Sequence, residues 1–181
     1  MRAVVGLGNP GPEYAATRHN AGFRLADAVA ERWGLPPFRR AEHARATEGV
    51  VHDVPVRVLK PTTYMNRSGA ALASLRADPA FDPARDLLIL VDDFAIPAGT
   101  FRLRAEGSAG GHNGLKSIEG ALQSQQYARL RIGVGPLPEG TGDWSDYVLA
   151  PFDPEQLEQI DARMPDMVDA VDRWLREGIE K

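Results

Sequence analysis

An α/β layer fold is the expectation for this chain, and three observations carry it. Residues 2–7, 54–58, 87–91 and 128–134 are apolar or alternating runs of strand length. Segments with apolar residues at helical spacing stand between and after them, and strands that alternate with helices build layered α/β folds. The 181 residues, 43% hydrophobic and 25% charged, are enough for one buried core. There is no internal repeat, low-complexity tract or linker, so residues 1–181 read as one domain.

Each element follows from local chemistry. Residues 2–7 read as a buried strand that ends in Gly8-Asn-Pro-Gly-Pro12. Phe23, Ala26, Ala30 and Trp33 mark one face of a helix that stops at Gly34-Leu-Pro-Pro37. Val54, Val56 and Val58 alternate with polar neighbours as a second strand. Residues 66–77 have a helical pattern, with Asn66 or Ser68 as its cap. Residues 87–91 are apolar throughout, as an interior strand is, and end on Asp92-Asp93. Residues 101–104 alternate apolar and basic, residues 107–111 form a loop, and residues 115–122 a short helix. In the strand at 128–134, period-two alternation places Arg129 and Arg131 on one face. Residues 135–143, rich in Gly and Pro, suit a lid or turn. Met164, Val168, Val171 and Trp174 then define a C-terminal helix.

Composition excludes several chemistries. No Cys is present, which removes disulfides, thiol nucleophiles and cysteine zinc sites. Met1-Arg-Ala-Val-Val-Gly6 enters a strand pattern without a signal core, and no apolar run reaches membrane-spanning length. A cytoplasmic protein is therefore expected, with no membrane partner. The net charge of -4 argues against a nucleic-acid partner on average. However, residues 151–181 hold 9 acids and 4 bases, and the first 150 hold 17 bases and 16 acids. The acidity is thus C-terminal, and an arginine patch elsewhere stays open.

Two of the four histidines lie in polar, glycine-bearing segments, Tyr14-Ala-Ala-Thr-Arg-His-Asn-Ala-Gly22 and Gly110-Gly-His-Asn-Gly-Leu-Lys116. Histidine accepts protons near neutral pH, and Asn offers an amide donor without charge. A base beside neutral donors is what acyl hydrolysis without a metal requires. His19 reads either as a backbone-bonded loop residue or as a general base. Asp92 reads either as a solvated turn acid or as the carboxylate that meets the His19 ring at a strand end. A metal at Asp92 is not expected, because no His or carboxylate at ligand spacing accompanies it in sequence. Gly6-Leu-Gly-Asn-Pro-Gly11 fits the dinucleotide pattern, but Pro10 and Pro12 break the turn where a phosphate-binding helix would start, so a strand-end turn presenting Asn9 is preferred. Residues 110–114 could be a plain loop, or a helix N-terminus whose free N–H groups suit an oxyanion or phosphate.

Taken together, these segments resemble the bacterial peptidyl-tRNA hydrolase family. The resemblance rests on Gly6-Leu-Gly-Asn-Pro-Gly11, Tyr14 with Thr17-Arg-His-Asn20 and Gly22, and Met65-Asn66 with Ser68-Gly69. Gly110-Gly-His-Asn-Gly-Leu-Lys-Ser117, Arg129-Leu-Arg-Ile-Gly133 and Tyr147-Val-Leu149 complete the order. It implies a single α/β domain with a twisted mixed sheet flanked by helices, and cleavage of the ester between a peptide and the 3′ end of tRNA. It assigns the base to His19, its carboxylate to Asp92, and discrimination of N-blocked groups to Asn9. Asn113 and Asn66 then hold the peptide and the reacting ester, Tyr14 and Tyr64 line the site, and Met65 and His112 form its wall. Arg102, Arg104 and Arg131 are candidates for tRNA phosphates near the acceptor end. No cofactor and no metal are expected, and the chain is expected to act as a monomer.

The sequence departs from the family at Ala95, where an Asp is usual, at Tyr64, where Phe is frequent, and in the short acidic tail. Two alternatives stay open. One is a related RNA-binding module without turnover. The other is a general esterase, although Ser68 and Ser108 lie outside any G-x-S-x-G nucleophile motif.

Overall fold

The computed structural model describes residues 1–179; Glu180 and Lys181, the end of the expected domain, lie outside the described residues. Seven strands form one mixed sheet: β1 (Arg2–Gly6), β2 (Arg39–Ala41), β3 (Ala44–Val51), β4 (Val54–Pro61), β5 (Leu87–Pro97), β6 (Phe101–Arg104) and β7 (Ala128–Gly135). Their order is β2-β3-β4-β1-β5-β7-β6. The four central strands β4, β1, β5 and β7 run parallel, whereas the β2–β3, β3–β4 and β6–β7 pairings are antiparallel. Among the described residues six α-helices accompany the sheet: α1 (Ala21–Arg32), α2 (Ala73–Arg76), α3 (Pro83–Asp86), α4 (Asn113–Leu122), α5 (Trp144–Val148) and α6 (Pro154–Glu177).

A parallel sheet needs cover on both faces, and two apolar clusters provide it. On one face Leu25 and Val29 of α1 and Val168, Val171 and Trp174 of α6 pack on Val4, Val58 and Leu90. On the other, Leu72, Leu75, Leu115 and Ile118 pack on Val5, Leu59 and Ile89. Alternate residues of β1, β4 and β5 serve opposite clusters, which explains why residues 87–91 are apolar without interruption.

Some expectations change. The segment expected to be helical at 66–77 is a 3-10 stretch, Met65–Leu72, followed by the single turn of α2. Neither Asn66 nor Ser68 caps it; the cap position is Tyr64, and the Ser68 hydroxyl donates to the Met65 carbonyl at 2.7 Å. β5 continues through Asp92-Asp93, with a register shift before Pro97, so the two acids sit within a strand and not in a turn. The β2–β3 hairpin carries no apolar run and gave no strand signal. α5 also escaped notice; Asp143 caps it by accepting from the Ser145 N–H at 2.9 Å. Finally, of the two arginines placed on one face of β7, Arg129 is fully buried.

Candidate active site

Two close backbone contacts bring the site together. At Gly22, in the first turn of α1, a Cβ would stand 2.5 Å from the Leu90 carbonyl and 2.6 Å from that of Leu7. Only glycine lets the helix start against the end of β1 and the middle of β5, and that contact puts the preceding 3-10 turn, Arg18–Asn20, beside Asp92. His19 is buried there, and its Nδ1 lies 2.8 Å from Asp92 Oδ2.

The other Asp92 oxygen, Oδ1, lies 2.8 Å from Nε2 of His112. His112 is the N-cap of α4, and its Nδ1 accepts from the N–H groups of Gly114 (3.1 Å) and Leu115 (3.3 Å). A ring nitrogen that accepts two backbone N–H groups carries no proton, so Nε2 carries it and donates to Asp92. Asp92 therefore receives two imidazole donors. Burial, the largest single influence, opposes its charge, yet the two histidines outweigh burial and hold the carboxyl well below the usual carboxylate range. An ionised Asp92 draws the proton of the neutral His19 ring to Nδ1 and leaves a lone pair on Nε2.

Two sequence expectations fail here. The N–H groups of Gly114 and Leu115 are not free for an oxyanion, because His112 occupies them. His19, Asp92 and His112 do form a cluster with potential ligand atoms within 4.8 Å of one another, although 73 and 20 residues separate the histidines from Asp92. The donor chemistry does not fit an ion in that cluster: the His112 nitrogen facing Asp92 must hold a proton to serve the cap.

Asn9 is buried beyond the end of β1. Its backbone N–H donates to Asn20 Oδ1 (2.8 Å), and its carbonyl accepts from Asn20 Nδ2 (3.0 Å). Its side-chain oxygen accepts from the Met65 N–H at 2.8 Å, which fixes the amide with its NH2 end directed away from that bond. Met65 is buried, whereas the Asn66 and Asn113 side chains are exposed. The elements that carry them are tied together by the Gly69 N–H donating to Ser117 Oγ at 2.9 Å. Tyr14 and Tyr64 meet edge-on at 6.3 Å.

A cavity of about 210 Å³ opens beside the catalytic candidates, lined by His19, Asp92, His112, Phe94, Arg131 and Trp144 among others. Asn9, Asn66, Asn113, Tyr14, Tyr64 and Met65 are not part of its lining; Met65 is joined to the histidine turn through Asn9 and Asn20. Arg102 lies opposite Arg131 in the β6–β7 ladder, and Arg104 opposite Arg129. Arg102 and Arg104 are exposed. Arg131 donates to Ser108 O at 3.1 Å and pairs with Asp93 at 3.3 Å.

Sequence reasoning missed Arg18. It is buried beside His19, stacks on Tyr147 at 3.9 Å, and donates to Tyr147 O (2.9 Å) and Gln156 Oε1 (3.0 Å), tying the histidine turn to α5 and α6. The Asn20–Asn9 pairing was also missed; the adjacent His-Asn dipeptide was its only signal.

A family model described as peptidyl-tRNA hydrolase matches residues 3–181. The peptidyl-tRNA hydrolase of Gemmatimonas aurantiaca is 46% identical over 183 residues, covering 100% of this chain and 96% of the relative. That of Chloroflexus aggregans is 47% identical over 174 residues, covering 94% of this chain and 92% of its own. The crystal structure of the Acinetobacter baumannii peptidyl-tRNA hydrolase superposes with a TM-score of 0.89 at 33% identity, covering 97% of this chain and 89% of that one. With likeness of this extent in both sequence and fold, the chain belongs to the peptidyl-tRNA hydrolase family.

Proposed function

We propose that the chain hydrolyses the ester joining a peptide, or an N-blocked aminoacyl group, to the 3′ end of tRNA, and so recycles tRNA from prematurely released peptidyl-tRNA. The observation that carries this reading is the buried His19–Asp92 pair at 2.8 Å, which directs the proton of a neutral ring to Nδ1 and so presents the Nε2 lone pair. Nε2 takes a proton from water as the water oxygen bonds to the ester carbonyl carbon. Asp92 stays ionised and stabilises the imidazolium. Amide N–H groups of Asn113 and Asn9 steady the oxyanion, each such donor being worth about 3 kcal/mol. The carbon–oxygen bond to the ribose then breaks, and the proton passes from His19 to the departing ribose oxygen. Asn66, Tyr14, Tyr64 and Met65 hold the acyl side, and His112 fixes the second Asp92 oxygen. Arg102, Arg104 and Arg131 take tRNA phosphates by charge-assisted contacts.

The reaction needs no metal, because a ribose hydroxyl is a better leaving group than an amine. One chain supplies every group named, which suits a monomer. No helix among the described residues is long and apolar enough to cross a membrane. The cytoplasm, where translation produces peptidyl-tRNA, is the proposed compartment.

The test is release of the blocked amino acid from N-acetyl-aminoacyl-tRNA by wild type and His19→Ala. The substitution is expected to lower kcat about 10²- to 10⁴-fold. Tight RNA binding without wild-type turnover would select the non-catalytic RNA-binding reading. Equal rates on a small blocked amino ester and on the full substrate would select a general esterase. A chelator is expected to leave the rate unchanged, and strong inhibition would contradict the metal-free mechanism.

A further inference from the structure

Arg129 is a fully buried cation that the reaction as described does not use. Its guanidinium lies 3.9 Å over the Tyr127 ring. Nη1 donates to Gly107 O (2.8 Å), Nη2 to Gln125 O (2.8 Å) and Tyr127 O (3.1 Å), and Nε to Tyr127 O (3.3 Å). Among the described residues it has no carboxylate within salt-bridge distance. A buried charge without a counter-ion is costly, and a well-packed apolar side chain of similar volume often serves stability as well. The carbonyls it gathers therefore indicate its purpose.

They come from two places. Gln125 and Tyr127 lie just before β7, whereas Gly107 lies in the loop from β6 to α4. Gly107 N–H also donates to Gln125 O at 3.3 Å, and Arg131 holds the next carbonyl, Ser108 O, at 3.1 Å. Beyond Ser108 the loop runs through Ala109, Gly110 and Gly111 to His112. Three glycines in the five residues 107–111, with φ +153° at Gly107 and +57° at Gly110, give this backbone wide freedom and make it costly to order. Yet His112 must meet Asp92 on one side and the start of α4 on the other.

We propose that Arg129 is a positioning residue whose guanidinium anchors the start of the glycine-rich loop and thereby sets His112 against Asp92 and Asn113 against the substrate ester. The catalytic part rests on the hydrolase reading; the anchoring does not. Arg129→Lys keeps the charge but cannot span three carbonyls. Two readouts test the proposal. Backbone hydrogen exchange is expected to quicken at least about tenfold at residues 108–112 in this variant. On N-acetyl-aminoacyl-tRNA its kcat is expected to fall about ten- to a hundredfold, the range a misplacement of about 1 Å produces, with KM and salt dependence kept. Unchanged exchange or unchanged kcat in a folded Arg129→Lys protein overturns the proposal. If that variant fails to fold, a glycine inserted between Ser108 and Ala109 leaves the Arg129 bonds intact while uncoupling His112. The same kcat loss is then expected, and wild-type kcat overturns the proposal. If the wild type proves inactive, the hydrolase reading falls, and the exchange readout still decides the anchor.

Discussion

Asp92 accepts from His19 and His112 at once, at 2.8 Å each, and this double contact sets the behaviour of the site. In Asp92→Asn the amide can donate to His19 Nδ1 and favour the wrong tautomer. That variant is expected to lower kcat about 10²- to 10⁴-fold with a smaller effect on KM, measurable by steady-state kinetics. The same residue links stability to acidity. Its carboxyl titrates below the unfolded-chain value of 3.8, so its stabilising contribution is complete above that value and is lost as pH falls through the lower folded value. Urea unfolding of wild type and Asp92→Asn should give a stability gap that narrows from pH 7 to pH 3. A gap that widens toward acid would contradict the two-donor arrangement. Strand-end logic and the family resemblance made the His19–Asp92 pair legible in sequence. The partnership of His112 with Asp92 was not legible, because nothing local says which loop returns to a given strand residue.

At the scale of elements, the approach of α1 to the sheet places the base. Gly22→Ala introduces a methyl group against the Leu7 and Leu90 carbonyls. It is expected to cost about 1–3 kcal/mol by overpacking and to lower activity together with Tm. Gly34, at φ +65° with open space around it, is the matching control, since Gly34→Ala meets backbone strain alone. A thermal melt that ranks Gly34→Ala as the more harmful would refute this account of helix placement. The helix and central-strand positions were readable from periodicity. The β2–β3 hairpin was not, because its residues are mostly polar or small and form no apolar run. The 3-10 stretch at Met65–Leu72 has an apolar spacing that an α-helix shares, so periodicity could not separate the two.

Across the whole molecule, the acidic tail is occupied by structure. Asp161 and Asp169 of α6 pair with Arg24 and Arg32 of α1 at 2.9 Å each. Asp172 accepts from Trp33 Nε1, also at 2.9 Å. The net charge of -4 therefore says little about the β6–β7 ladder, where Arg102, Arg104 and Arg131 gather. Removing one phosphate contact with Arg102→Gln is expected to weaken substrate capture and to reduce the salt slope of kcat/KM by about one. A slope equal to that of wild type would remove Arg102 from the nucleic-acid surface.

From the sequence by itself came the layered α/β class, the apolar central strands, the absence of thiol chemistry and the residues that mark the family. These depend on composition, on the periods of helix and strand, and on short motifs, all of which are local. Only the tertiary structure decided that His112 joins His19 on one carboxylate, that it closes the end of α4, and that Arg129 is buried while Arg131 reaches the cavity. Periodicity identifies residues that share a face, but strand order and the packing above that face determine which of them meet water, a carbonyl or each other.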